Sequence, residues 1–471
     1  MDRGTSVLVT LVVYNAILIG VGLWARSRNR DVADFYLAGR GLGPWVAAIS
    51  ASASSSSAWT LLGVSGAAYA WGLPALWLFP ATVGGFLLNW LWVAPRLKTL
   101  AQGESAVTLS EVVAHKGLGE ARRNILRIAA LIIVFCFTFY IASQFEAAGK
   151  AFESVFGLSK ESSILIGAGI VLAYTMLGGF WAVSVTDSLQ GLLMVVAGLL
   201  LPVVALAAVG GFGPLADGLA ATGSSGSPIA TGIGTAILFV LGLLGIGIGY
   251  PGQPHVVNRF MALKDDRALQ QGRIIALSWA VLVYAGMLLL GLSARVLFAD
   301  LGDSEQVLFH AATELLPAVI AGVMLAAVLS AIMSTADSQL LVAASAISYD
   351  WNLAGGRPAE GLTSTRVTVV AVLILATVLA LVWRADIFSR VLFAWSAAGS
   401  AFGPLLIMRL IGRNVSAAAT RAAMISGFGL TVLISFAPDA PGDAAERLLP
   451  FFAAFLIALA GAKSNAVSRQ G

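Results

Sequence analysis

Ala48-Ile49-Ser50-Ala51-Ser52-Ala53-Ser54-Ser55-Ser56-Ser57-Ala58-Trp59 is the stretch around which this chain is organised. It lies in segment 43–71, flanked by apolar residues on both sides that reach far enough to cross a bilayer. A membrane helix normally satisfies every backbone N–H and C=O internally, because hydrocarbon offers no other partner. Small hydroxylated residues let the backbone loosen, since their side chains cap the freed groups. Carbonyls freed at mid-membrane can hold a small cation, and half-helix ends can hold the charged groups of a solute. The same composition also suits a small-residue packing face between helices. The rest of the chain has to separate the two readings.

Composition fixes the solvent. The chain is 58% hydrophobic and 11% charged, with a mean hydropathy of +0.89, whereas soluble proteins carry about 25% charged residues. Apolar runs of ~20 residues recur along the whole length, which a buried soluble core does not explain. The fold class is therefore an all-α polytopic membrane protein. The net charge of +4 and pI of 9.3 are not gathered on one amphipathic or disordered segment, so they do not point to nucleic acid. Cys136 is the single cysteine, so no disulfide forms within the chain and the redox compartment cannot be read. The first apolar stretch, 7–24, has no small-residue cleavage site after it and is expected to be retained as a span.

Apolar runs of about 17–25 residues predict thirteen spans: 5–25, 43–71, 73–97, 123–150, 162–180, 186–210, 229–253, 271–298, 307–346, 364–383, 387–411, 420–437 and 446–462. The ninth is too long for one crossing and is expected to open with an interfacial helix at 307–316, before Pro317. Alternate loops hold 21 and 7 of the 28 lysines and arginines. That bias places the amino terminus outside and the carboxyl terminus in the cytoplasm of a cell-membrane protein. The basic pI is mostly topology.

A second irregular segment reads LFVLGLLGIGIGYPGQ, residues 238–253. Its glycines, with Pro251 and Pro254, break or kink a helix, although Gly245 and Gly249 also have small-xxx-small packing spacing. The second and seventh segments lie five crossings apart, and an odd offset means the second unit runs through the membrane in the opposite sense. Interrupted segments at corresponding positions of two inverted halves point to a transporter's midplane site. One transmembrane domain, 1–471, is then expected, with a first repeat at 43–210, a second at 229–411, and accessory spans in 1–42 and 412–471.

The ninth segment supplies the chemistry. In AAVLSAIMSTADSQ, residues 326–339, Ala331, Ser334 and Thr335 stand at i, i+3 and i+4 and share one face. Two hydroxyls and a carbonyl one turn earlier are neutral oxygen ligands suited to a hard cation. Such hydroxyls also bond back to the i−4 carbonyl with no ligand involved. Asp337 is ionisable at membrane depth, which costs at least ~2.5–3.5 kcal/mol and marks a functional candidate. Asp187, expected at the cytoplasmic end of the sixth segment, also fits a plain helix-start carboxylate. Glu146 is expected to snorkel to the interface. His115, His255 and His310 are expected at or near loops, without metal-ligand spacing.

FYLAGRGLGPW (35–45), GGFWAVSVTDSLQ (178–190), GYPGQPH (249–255) with Arg259-Phe260-Met261, and SAIMSTADSQLL (330–341) resemble the sodium:solute symporter family, and among its branches the sodium/proline symporters. The resemblance runs from about residue 30 to 411 in order and spacing. It implies a LeuT-type five-plus-five inverted repeat, alternating access and uptake driven by the sodium gradient, with Na+ as coupling ion. Residue by residue it implies a main sodium site of carbonyls from Ala53, Ser56 and Ala331 and hydroxyls from Ser334 and Thr335. A second cation or proton site would fall at Asp187, Asp337 and Ser338, with Ser334 beside it. The solute would meet Tyr140, Tyr250 and Ser57, with Trp59 helping to close the outer side. Without the resemblance, those aromatics fit ordinary interior packing equally well.

Two departures stand out. This chain has Ser55 where proline transporters carry an acid, and Ile246 where they carry a tryptophan. Asp337, one turn from the ion face, is the expected substitute for the lost charge, and the lost indole reshapes the pocket. The expected function is a symporter coupling inward sodium movement to uptake of a small amino-acid-like solute, proline first. Another carboxylate, sugar or osmolyte, or proton coupling, is the alternative. A channel needs a continuous polar pore, which the few intramembrane charges do not supply. A membrane-embedded enzyme lacks a visible nucleophile–base pair. The expected partners are a small-molecule substrate and the lipid bilayer, with no nucleic acid and no obligatory protein partner.

Overall fold

The computed structural model describes residues 3–26, 37–175, 180–222, 232–356, 362–383, 386–437 and 441–464. Of the family-like stretches, Phe35, Tyr36, Gly178 and Gly179 lie outside the described residues. The described chain is helical almost throughout, apart from one antiparallel pair of short strands, Arg413–Val415 and Ala462–Ser464. Its surface is inverted relative to a soluble protein. Val12, Leu131, Ile374 and Leu433 are exposed, while Ser50, Ser54, Asp187, Arg259 and Asp337 are buried. Lipid rather than water is the outer solvent this arrangement fits.

Among the described residues, nine helices are long and apolar enough to cross a membrane, from Leu73–Glu104 to Ala417–Ile434. The other four expected segments coincide with helix Arg3–Arg26, the interrupted helix that begins at Pro44, Lys160–Thr175 and Ala444–Ala460. The expected break before the ninth segment occurs. Val307–Leu315 ends ahead of Pro317, and Ala318–Ser345 follows. The proline lacks an N–H and ends the first helix, then leads into the next.

Both expected interruptions occur. In the second segment, helix Pro44–Ala58 turns at Ser57, whose φ of 54° and ψ of −175° no helix uses, and the chain continues through a π-helical turn, Trp59–Gly63, into Val64–Trp71. A non-glycine residue held there costs on the order of 1–3 kcal/mol. Two side chains offset it by taking the freed donors: Ala58 N–H bonds Gln144 Oε1 at 3.1 Å, and Trp59 N–H bonds Ser57 Oγ at 3.1 Å. In the seventh segment, Ile233–Ile248 passes into a 3₁₀ turn at Tyr250–Gly252, extends at Gln253 and restarts as Pro254–Met261. Gln253 Nε2 holds this break by donating to the carbonyls of Gly249 (3.2 Å) and Trp395 (2.8 Å).

The two broken helices run antiparallel and side by side. Leu42 N–H donates to the Ala262 carbonyl and Lys264 N–H to the Leu42 carbonyl, each at 3.1 Å, tying the start of one to the end of the other. At the opposite end Trp71 meets Phe239 edge-on, ring centroids 5.4 Å apart. Helix Phe180–Val209 packs against Pro44–Ala58, Asp266–Leu297 and Ala318–Ser345, closing a bundle around the breaks. It crosses Asp266–Leu297 at glycines, where a Cβ on Gly286 would lie 1.7 Å from the Gly198 carbonyl oxygen. Close backbone approach at small residues is the usual membrane solution. Gly286→Ala is therefore expected to lower thermal stability in detergent by about 1–3 kcal/mol or more. An unchanged melting midpoint would contradict that contact.

Candidate functional site

All twelve site residues named from the sequence are buried, none more than 4% exposed. Three groups form around the Ser57 break.

The first joins the second and ninth segments. Thr335 Oγ1 donates to the Ser54 carbonyl at 3.2 Å, and Ser334 Oγ to the Ala331 carbonyl at 3.2 Å. The Ser56 carbonyl takes the Thr60 hydroxyl at 2.5 Å. Ala53 packs its methyl toward Gly191 of the sixth segment. The expected hydroxyl face of the ninth segment thus meets loosened backbone of the second. The carbonyl it touches is that of Ser54, a neighbour of the Ala53 named from the resemblance. Neutral oxygens in a dry interior suit a weakly bound hard cation.

The second group surrounds Asp187. Its Oδ2 accepts from Ser50 Oγ (2.7 Å), Ser54 Oγ (3.2 Å), Ser338 Oγ (3.4 Å) and Arg259 Nη2 (3.0 Å). Arg259 Nη2 also donates to Ser338 Oγ at 2.5 Å and its Nε to Ser50 Oγ at 3.1 Å, with the guanidinium over the Phe180 ring at 5.0 Å. Asp187 does not sit at a helix start in interfacial water. The helix opens earlier, at Phe180, so the carboxylate lies inside the bundle and pairs with a buried cation. Arg259 Nη2 reaches both Asp187 and Ser338, the residues named for a second cation. In this conformation the guanidinium occupies the oxygens that a second cation would need. Asp337 is buried beside this group, and its two carboxylate oxygens take no hydrogen bond of ordinary geometry from the described residues.

The third group is aromatic. Tyr140 donates to Ser57 Oγ at 3.3 Å, and its ring lies 6.2 Å from that of His255. Tyr250 packs against Phe86 and Trp395, with ring centroids 5.4 and 4.7 Å away. Trp59 lies against Phe388 at 5.4 Å and Tyr284 at 6.5 Å. Tyr284 links these parts, since its hydroxyl lies 3.4 Å from Ser56 Oγ, 3.1 Å from Thr60 Oγ1 and 3.5 Å from the Tyr250 hydroxyl. Near Ile246 an indole arrives from elsewhere: Trp395 of the eleventh segment donates to the Ile246 carbonyl at 3.1 Å.

Several expectations need correcting. His255 does stand beside the Gln253 break, but it is fully buried against Phe137, Tyr140 and Trp395. Glu146 does not snorkel but is 2% exposed and ion-paired to Lys160. Among the described residues, Lys98, Arg259 and Arg409 of the larger set of basic residues are buried, as are Arg390 and Arg447 of the smaller, and setting these aside leaves the bias standing. Arg259, Tyr284 and Gln144 were missed as site residues. Gln144 offered one signal, an amide within an apolar run, whereas Arg259 lies in the connection after the seventh segment and Tyr284 gave no local cue.

Residues 35–427 match the sodium:solute symporter family. The chain is 36% identical over 450 residues to the sodium/proline symporter of Escherichia coli, covering 92% of this chain and 88% of that protein. It is 35% identical over 438 residues to the osmoregulated proline transporter OpuE of Bacillus subtilis, covering 91% and 88%. Among solved structures it is similar to a Na+-coupled sialic acid symporter in a substrate-bound outward-open state, at TM-score 0.81 and 17% identity over 98% of this chain and 100% of that one. The nucleobase-cation-symport-1 family transporter Mhp1 follows at TM-score 0.58, 13% identity and coverage of 91% and 95%. These two likenesses concern the fold. With this match over most of its length, and two interrupted helices meeting at buried hydroxyls, the chain belongs to the sodium:solute symporter family.

Proposed function

We propose that this chain couples inward movement of sodium to uptake of proline across the cell membrane. It does so on a thirteen-helix LeuT-type scaffold whose repeats are 43–210 and 229–411, with the amino terminus outside and the carboxyl terminus in the cytoplasm. The observation that carries the reading is the Thr335 hydroxyl on the Ser54 carbonyl, three residues from the Ser57 break. Sodium held by Ala53, Ser56, Ala331, Ser334 and Thr335 would bridge the second and ninth segments. It would favour the state in which Ser57, Trp59, Tyr140 and Tyr250 accept the solute, because the ion binds that state preferentially. The proline transporters among its relatives support this solute. Trp395 supports it too, because its indole reaches the Ile246 carbonyl, beside the position where the seventh segment carries an aliphatic side chain.

Reconstituted in liposomes, the protein is expected to accumulate radiolabelled proline only under an inward sodium gradient. Uptake indifferent to sodium would overturn the coupling, and absence of uptake or competition by proline would overturn the solute.

The burial of the Asp337 carboxylate beside Asp187 and Arg259 favours a second reading, in which it supplies the charge that Ser55 lacks, holding a second cation or a proton. Asp337→Asn is then expected to weaken the sodium dependence of uptake. Unchanged sodium activation in this variant would remove Asp337 from the mechanism.

A further inference from the structure

A cavity of about 430 Å³ opens far from the ion and solute groups, on the side that the basic-residue bias assigns to the cytoplasm. Glu120, Arg123, Asn124 and Arg127 line it from the start of helix Ala121–Phe156, Ala354 and Gly355 from the end of the ninth segment, and Arg421 from helix Ala417–Ile434. Three guanidinium groups face one carboxylate. Among the described residues none of the three is within ion-pair distance of an acid. Arg127 lies over the Trp351 ring at 5.6 Å. That indole is 38% exposed, as befits an aromatic side chain at headgroup level.

The wall above the cavity is apolar. Leu131 stands at i+4 from Arg127 and Ile425 at i+4 from Arg421, so each continues the face of its arginine one turn deeper. These two side chains are 58% and 55% exposed. One further turn in, Phe135 and Phe428 meet edge-on, centroids 5.1 Å apart, and close the wedge between the two helices. A basic cup below exposed apolar surface matches a phosphate headgroup with its acyl chains, whereas a soluble anion has no use for the upper wall. Basic pockets between membrane helices on the cytoplasmic side hold anionic headgroups by charge.

We propose that this wedge is a binding site for an anionic phospholipid of the cytoplasmic leaflet, with Arg123, Arg127 and Arg421 around the phosphate and Leu131 and Ile425 along the chains. To test it, the full purified chain is titrated in detergent with phosphatidylglycerol and separately with phosphatidylcholine, and retained lipid is counted by native mass spectrometry. Phosphatidylglycerol is expected to be retained in preference. Arg123→Gln/Arg127→Gln/Arg421→Gln is expected to lower its affinity on the order of 100-fold, and Arg421→Gln alone by about fivefold. Arg96→Gln, which changes a cation stacked on Trp92 outside the cavity, is expected to leave retention unchanged. If the triple variant does not fold, the single variant decides. Equal retention of the two lipids, retention insensitive to the cavity arginines, or displacement of the lipid by equimolar inorganic phosphate would each overturn the proposal.

Discussion

Asp187→Asn is expected to destabilise the protein by about 3–5 kcal/mol, the cost of leaving one member of a buried ion pair without its partner. The orphan would be Arg259, 1% exposed, whose Nη2 lies 3.0 Å from Asp187 Oδ2. Ser50 and Ser338 can still accept from it, but neither carries charge, and only Asp337, which is not in ion-pair contact, is left to offset the desolvation of the guanidinium. Replacing both charges should cost far less, since neutral pairs of similar volume are often as stable as the buried ion pair. The double variant Asp187→Asn/Arg259→Gln is therefore expected to regain most of the melting midpoint in detergent that the single variant loses. A single variant as stable as the wild type, or a double variant worse than the single, would show that this pair does not hold the second, sixth and seventh segments together. Transport gives a separate readout. If the guanidinium and a second cation compete for Asp187 and Ser338, recovered stability need not bring recovered uptake.

What was legible in the sequence, and what was not, follows from the range over which each feature is determined. The Ser57 break, the Tyr250–Gln253 break and the stop at Pro317 are local. Serine runs, glycines and prolines inside apolar segments weaken a helix wherever they occur, so the sequence locates them to within a few residues. The face of Ala331, Ser334 and Thr335 is equally local, because helical spacing alone sets it. Arg259 is different. Counting arginines by loop treats each as solvated, and what buries this one is an acid 72 residues earlier in the chain. Tyr284 sits in an unbroken apolar run that gives no local cue, and the hydroxyls it meets lie 228 and 224 residues away. Asp187 was misplaced because the helix start was put several residues late. The boundary error moved a carboxylate from the bundle interior to the interface.

Removing the Thr335 hydroxyl is expected to raise the sodium concentration for half-maximal proline uptake by at least about 10–100-fold, the range seen even when only an outer-shell partner of a metal ligand is lost. The residue is buried, and its Oγ1 reaches from helix Ala318–Ser345 to the Ser54 carbonyl on helix Pro44–Ala58. An ion seated there is held by two elements at once, and that is how binding would couple to their relative position. Thr335→Ser keeps the hydroxyl and should stay near the wild-type sodium dependence, whereas Thr335→Ala loses the hydroxyl while changing little volume. Ser330→Ala is the control on the same helix. Its hydroxyl bonds the Ala326 carbonyl at 2.7 Å and meets Tyr14 at 2.5 Å, away from the second segment. It should alter sodium activation little. Were Thr335→Ala to show the same sodium activation as Ser330→Ala, the hydroxyl face of the ninth segment would be a packing surface, and the ion would have to be sought at Asp187 and Asp337 instead.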